Sequence, residues 1–221
     1  ACPEGFFGPT CAVSEAETVS TEGVLCTFSQ SVFNDDESVN DTSTAEWTCD
    51  EATRMLSANG LPDHIVGTFP NPECPNTISA QTVSVSFPLE PEIAYDTGNP
   101  TSVVAYCLNG VKFEVGTAGT CTDSGECSAA GNGGQWSMEA AGDTPFDFGT
   151  DESNAHVQPF GAYHYHGIPE GFLDAQGKGE AVTLVGWAVD GFPIYARYAY
   201  SDPYDETSAV TVVTGSYVLK N

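Results

Sequence analysis

The chain of 221 residues predicts an all-β fold, predominantly antiparallel and either sandwich-like or barrel-like. Short runs of alternating apolar residues recur along it, the period expected of half-buried strands. Two of these runs lead into Asn-Gly or Asp-Gly, the dipeptides that suit tight hairpins. Gly 23 and Pro 14 favour many turns, and 40% apolar residues suffice for one good-sized core.

Taken in order, Cys2-Pro3-Glu4-Gly5-Phe6-Phe7-Gly8-Pro9-Thr10-Cys11 has the spacing of the last loop of an EGF-like module. It reads either as a remnant of a modular protein or as a disulfide-stapled turn. Residues 1–12 are therefore set apart from a β domain spanning 13–221. Ala45–Ala58 has apolar positions that settle on neither period, which leaves helix and strand both open. Gln81–Phe87 alternates cleanly, with Val83, Val85 and Phe87 on one face. Val103–Leu108, Asn109-Gly110 and Val111–Val115 read as a hairpin with a type I′ turn. Residues 116–155 are Gly-rich with little periodicity; short strands are expected around Trp136–Ala140 and Phe146–Phe148. Lying just ahead of His156, this segment is a candidate wall for a site. Val182–Val189, Asp190-Gly191 and Ile194–Tyr198 form a similar hairpin, its turn lengthened by Phe192-Pro193. Val210–Val213 and Tyr217–Leu219 supply one more broken strand.

Thirty-one acidic residues face five basic ones, for a net charge of −26. That balance argues against nucleic acid or an anionic membrane surface as partner and favours cations. All eight cysteines fall within the first 127 residues, with no Cys-x-x-Cys pair and none close to a histidine. Four disulfides are the natural expectation, and with them an extracellular or periplasmic location. Cys2–Cys11 and Cys121–Cys127 would each close a short loop. Asn40-Asp41-Thr42 is the usable glycosylation sequon, since Asn99 precedes a proline. No apolar stretch approaches the roughly 18–20 residues of a membrane span. Ala1 beside Cys2 suits a processed, secreted chain.

Three of the four histidines lie in one short stretch. His164 and His166 are two apart, so on a strand both leave the same face while Tyr163 and Tyr165 turn the other way into the core. Pro159 and Gly161 let the chain bend back toward His156. Three converging imidazoles suit copper or zinc with an open coordination position. His64, in the turn-like Pro62-Asp63-His64, is either a fourth ligand or a surface histidine. Asp63 is a candidate to orient an imidazole through its second nitrogen. Tyr163, Tyr165 and Asp190 are candidates for the surrounding pocket, and Glu170 or Asp190 for a base. Asp147, Asp151, Glu152 and Asn154 offer an irregular calcium site. A nucleophile elbow, a phosphate-binding Gly-Lys-Ser/Thr loop and an Asp-x-Asp-x-Asp-Gly loop are all absent.

Four motifs resemble one family in the order in which they occur. Asp147–Pro159 followed by Gly161-Ala162-Tyr163-His164-Tyr165-His166-Gly167 is similar to the YHYH domain, which takes its name from this tetrapeptide. Asn59–His64 with Phe69-Pro70-Asn71, Leu108–Val111 with Phe113, and Gly186–Tyr195 fit the same family, so the resemblance covers roughly residues 50–221. It implies a secreted or periplasmic protein and carries no assigned activity. It also implies a further Gly-rich, aromatic segment beyond Ser216–Lys220, which would be cleaved, disordered or supplied by a partner chain. Two functions remain open: a His-lined transition-metal site, or an extracellular structural or adhesive module that self-assembles and in which the histidines are structural.

Overall fold

The computed structural model describes residues 26–93, 101–142 and 145–214. The EGF-like loop with Cys2 and Cys11, and the Tyr217–Leu219 run, lie outside them. The first four strands are β1 (Ser29–Asn34), β2 (Asp41–Cys49), β3 (Thr53–Ala58) and β4 (Val83–Pro88). They form one antiparallel sheet in the order β1-β2-β3-β4. The undecided segment Ala45–Ala58 is thus a hairpin, with Ala45 opposite Ala58 and Trp47 opposite Leu56. Its buried face reads Ser43, Ala45, Trp47 on one strand and Arg54, Leu56 on the next. Within Ala45–Ala58 the buried Arg54 hides the alternation from a hydropathy pattern, although the geometric period is 2.

β5 (Val103–Cys107) and β6 (Lys112–Glu114) form the predicted hairpin, but with a different turn. Gly110 N–H donates to the Cys107 carbonyl, and Cys107 N–H to that of Val111. This is a three-residue loop in which only Gly110, at φ 85°, is left-handed. Asn109 keeps negative φ because its side chain is needed inside. Its Oδ1 accepts from Val111 N–H at 3.1 Å, while Nδ2 donates to Asp63 at 2.8 Å and to the Tyr165 hydroxyl at 3.0 Å. A Cβ on Gly110 would come within 2.3 Å of Ala58, so the two sheets meet closely there.

The Gly-rich segment holds β7 (Thr120–Cys121), β8 (Cys127–Ser128) and β9 (Trp136–Ser137) as a small sheet. Cys121 and Cys127 face each other across it and are disulfide-bonded. Phe146–Phe148 is not a strand; the chain there passes in bends toward β10. Then come β10 (Ala155–Val157), β11 (Tyr163–Tyr165), the short α1 (Glu170–Gln176), β12 (Thr183–Ala188) and β13 (Pro193–Ala196). β14 (Tyr198–Tyr200) and β15 (Val210–Val212) pair as a final ribbon.

The second large sheet has the order β10-β11-β6-β5-β12-β13. All its pairings are antiparallel except β11 with β6, which run parallel. The β12–β13 turn repeats the β5–β6 geometry, with Gly191 at φ 95° closing onto the Ala188 carbonyl. The two sheets pack face to face as an open, sandwich-like arrangement rather than a closed barrel. Trp47 is fully buried between them, and its indole N–H donates to the Leu108 carbonyl at 2.9 Å. The Arg54 guanidinium stacks 3.3 Å over the Trp187 ring, and burial pulls its pKa down to about 10.

Among the described residues two cysteines stay unpaired, so the expected four disulfides do not form. Cys26–Cys49 and Cys121–Cys127 are bonded, whereas Cys74 and Cys107 are buried free thiols. The Cys74 thiol is engaged locally instead, donating to the Val157 carbonyl at 3.3 Å while accepting from Val157 N–H. Burial pushes the Cys107 thiol well above its ordinary pKa. Both behave as small apolar core residues.

Candidate metal centre

β11 lies between β10 and β6, so all three of its residues are buried. Tyr163 and Tyr165 turn toward the inter-sheet core, and the histidines take the other face, as strand alternation requires. Pro159 and Gly161 return the chain so that His156 on β10 stands directly opposite His164 on β11. His166 follows the strand and is anchored by its N–H to the Asn154 carbonyl at 2.7 Å.

The three rings meet through one nitrogen each. His166 Nε2 lies 2.9 Å from His164 Nε2 and 3.2 Å from His156 Nε2. Every Nδ1 faces an oxygen that can only accept: the Phe148 carbonyl at 2.8 Å for His156, the Ala162 carbonyl at 3.3 Å for His164, and Glu139 Oε1 at 3.1 Å for His166. Each Nδ1 therefore carries the ring's proton, and in a neutral imidazole that leaves Nε2 as a bare lone pair. Burial, together with the neighbouring rings, lowers the pKa of His164 to about 2 and lowers that of His166. With the rings neutral, three lone pairs converge with no proton between them. A cation relieves that repulsion. Tetrahedral bonds of roughly 2.0–2.1 Å place neighbouring nitrogens about 3.3 Å apart, close to the spacing of the two pairs that share His166, and all three ligand atoms lie within 4.8 Å of one another.

Among the described residues, His156, His164 and His166 are the group of three or more His, Cys, Asp or Glu able to share an ion. His64 does not join them, and it is not on the surface either. It is buried; its Nδ1 donates to the Ile65 carbonyl at 2.8 Å and its Nε2 accepts the Tyr165 hydroxyl at 2.7 Å. Asp63 accepts from Asn109 rather than from an imidazole. Tyr163 donates to Asp151 Oδ2 at 2.7 Å. Asp190 is exposed in the β12–β13 turn, at the opposite edge of the sheet from β10. Glu170 pairs with Arg197. The calcium candidates do not converge. Asp151 already accepts from Gly67, Ser153, Ala155 and Tyr163, and Asn154 Nδ2 donates to the Ile168 carbonyl.

Two carboxylates complete the surroundings, and neither stood out in the sequence. Glu139, in the Gly-rich segment, holds His166 and also accepts Gly116 N–H at 2.8 Å. Glu114 is buried on β6, with Oε2 3.7 Å from His164 Nε2 and 3.2 Å from Lys112 Nζ. It also accepts from Gln158 Nε2, and Lys112 donates to Gln158 Oε1 at 2.7 Å. Alternation on β6 puts Glu114 with Lys112 on the face opposite Phe113, and the parallel pairing with β11 makes that the histidine face. A cavity of about 490 Å³ adjoins the cluster, lined in part by Glu114, Phe148, His156, Gln158, Phe160 and His164.

Comparison with curated proteins and with solved structures returned no match. Residues 84–221 match the family described as YHYH protein, and that span contains every histidine of the cluster together with Glu114, Glu139 and Phe148. With more than half of its residues matched, this chain belongs to the YHYH protein family.

Proposed function

We propose that the chain is a secreted or periplasmic metal-binding protein whose His156, His164 and His166 hold a transition metal, copper first and zinc second. One observation carries the reading: three imidazoles whose Nδ1 protons are all engaged turn three bare Nε2 lone pairs toward one point. An all-imidazole set favours copper, zinc or nickel over calcium or magnesium, which take oxygen ligands. The Cys26–Cys49 and Cys121–Cys127 disulfides support an oxidising compartment, where reduced thiols do not compete for copper. No described helix is long and apolar enough to cross a membrane. Asn40, exposed in the turn before β2, is accessible for glycosylation in a eukaryotic secretory route.

The protein's own groups fix the site. Phe148, Ala162 and Glu139 hold the ring orientations and tautomers, the arrangement in which outer partners preset imidazole ligands. When bound, the metal supplies a Lewis-acid or redox centre. Equimolar copper and zinc offered to the metal-free protein test the order of preference. One copper should be retained per chain, with an electron paramagnetic resonance signal split by nitrogen ligands. Retention of zinc alone would reverse the assignment.

A further inference from the structure

Phe160, in the turn joining β10 to β11, has φ of 73° and is 96% exposed. It follows Pro159 in a four-residue turn closed by Gly161 N–H donating to the Gln158 carbonyl at 3.0 Å. Proline followed by a positive φ is the signature of a type II turn, whose third position favours Gly or Asn. A bulky residue held there is strained. The surroundings impose the conformation. The Phe160 carbonyl accepts from Ser79 Oγ at 3.2 Å and Gln81 Nε2 at 3.1 Å, and the Gly161 carbonyl from Ser79 N–H at 3.0 Å. Gly161 must stay small, since a Cβ would come within 1.9 Å of Ser79 Oγ. Neither backbone preference nor core packing accounts for a phenylalanine at position 160.

Its location does. Phe160 stands at the rim of the cavity lined by His156 and the buried His164, with Phe148 on the wall and Glu114 beside the histidines. The volume of about 490 Å³ lies in the range of small-molecule sites. We propose that this cavity is the ligand pocket of the metal centre and that Phe160 is the rim that selects a phenolic ring. The proposal rests on the metal reading above. A planar ring stacks on an exposed phenylalanine in offset or edge-to-face geometry. Its hydroxyl oxygen offers a lone pair at the histidine face, and its hydrogen finds the buried Glu114 carboxylate as acceptor. A phenol is neutral at pH 7, whereas carboxylate or phosphate ligands would meet a chain of net charge −26. The phenol is either a free small molecule or a tyrosine side chain.

Calorimetric titration of the zinc-loaded protein with 4-methylphenol, N-acetyltyrosinamide, cyclohexanol and benzoate tests this, with metal content measured beside it. Either phenol should bind at least tenfold more tightly than cyclohexanol or benzoate. Tighter binding of N-acetyltyrosinamide marks a protein tyrosine as the source, and tighter binding of 4-methylphenol marks a free phenol. Phe160→Gly should weaken phenol binding at least tenfold, keep its zinc, and melt at or above the wild-type temperature, because glycine relieves the positive φ. Unchanged phenol affinity in Phe160→Gly or a lower melting temperature overturns the role of Phe160, and benzoate bound as well as phenol overturns the choice of a phenol. Zinc retained without phenol binding overturns the pocket alone. Failure to take up zinc or copper overturns the metal reading and the pocket together.

Discussion

At the scale of single residues, the site depends on where protons cannot go. Glu139 Oε1 accepts from His166 Nδ1 at 3.1 Å and so fixes the tautomer that bares Nε2. Glu139→Gln removes the negative charge and offers an amide whose N–H can face the ring instead. Metal affinity should fall about 10–100-fold, the usual effect of losing such an outer partner. Competition with a chromogenic chelator measures it, and stoichiometry at saturating metal should stay unchanged. On the opposite face of β11, Tyr165 donates to His64 Nε2 and accepts from Asn109 Nδ2. Tyr165→Phe leaves two buried polar groups short of a partner and should cost about 1–3 kcal/mol in denaturant unfolding, with metal content unaffected. The imidazole alternation of His164 and His166 was legible in the sequence because a period of 2 needs only local geometry. Glu114 and Glu139 were not, because neither is near the histidines in the chain and both arrive through pairing and loop closure.

Among the elements, β11 positions the centre because it is flanked on both sides, antiparallel to β10 and parallel to β6. A central strand cannot shift register without turning every histidine into the core and every tyrosine out of it. The hairpins at 103–115 and 182–198 were legible from Asn-Gly and Asp-Gly, yet each closes through a three-residue loop with only the glycine left-handed. For β5–β6 the reason is the Asn109 side chain, which is buried with its hydrogen bonds and cannot also serve a type I′ turn. The segment Ala45–Ala58 was illegible as strand because Arg54 occupies its buried face. That hairpin carries the inter-sheet contact through Trp47, which is fully buried and bonded to Leu108. Trp47→Ala should therefore lower unfolding free energy by about 3–5 kcal/mol, read from chemical denaturation.

Across the whole molecule, charge and acid sensitivity are set by different groups. Three of the five basic side chains are engaged internally: Arg54 on Trp187, Lys112 with Glu114, and Arg197 with Glu170. The exterior is left strongly anionic. The histidines govern stability just below neutrality. His164 and His166 have folded pKa values depressed below the ordinary value of 6.5, His164 to about 2. Their neutral forms contribute stability that is complete above pH ~6.5 and lost as pH falls from there toward the folded pKa, because only the unfolded chain takes up the protons. The melting temperature should fall between pH ~6.5 and ~5, above the range where most carboxylates titrate. Bound metal should steepen the fall, since its ligands must stay deprotonated. Replacing His164 with Gln should flatten it in the metal-free protein.

Elemental analysis of the purified protein after exposure to copper and zinc, followed by dialysis, bears most directly on the histidine cluster. About one equivalent of transition metal per chain is predicted, and none in a variant with His156, His164 and His166 all replaced by Ala. Metal-free wild type, or a triple variant that retains the same equivalent, would contradict the account.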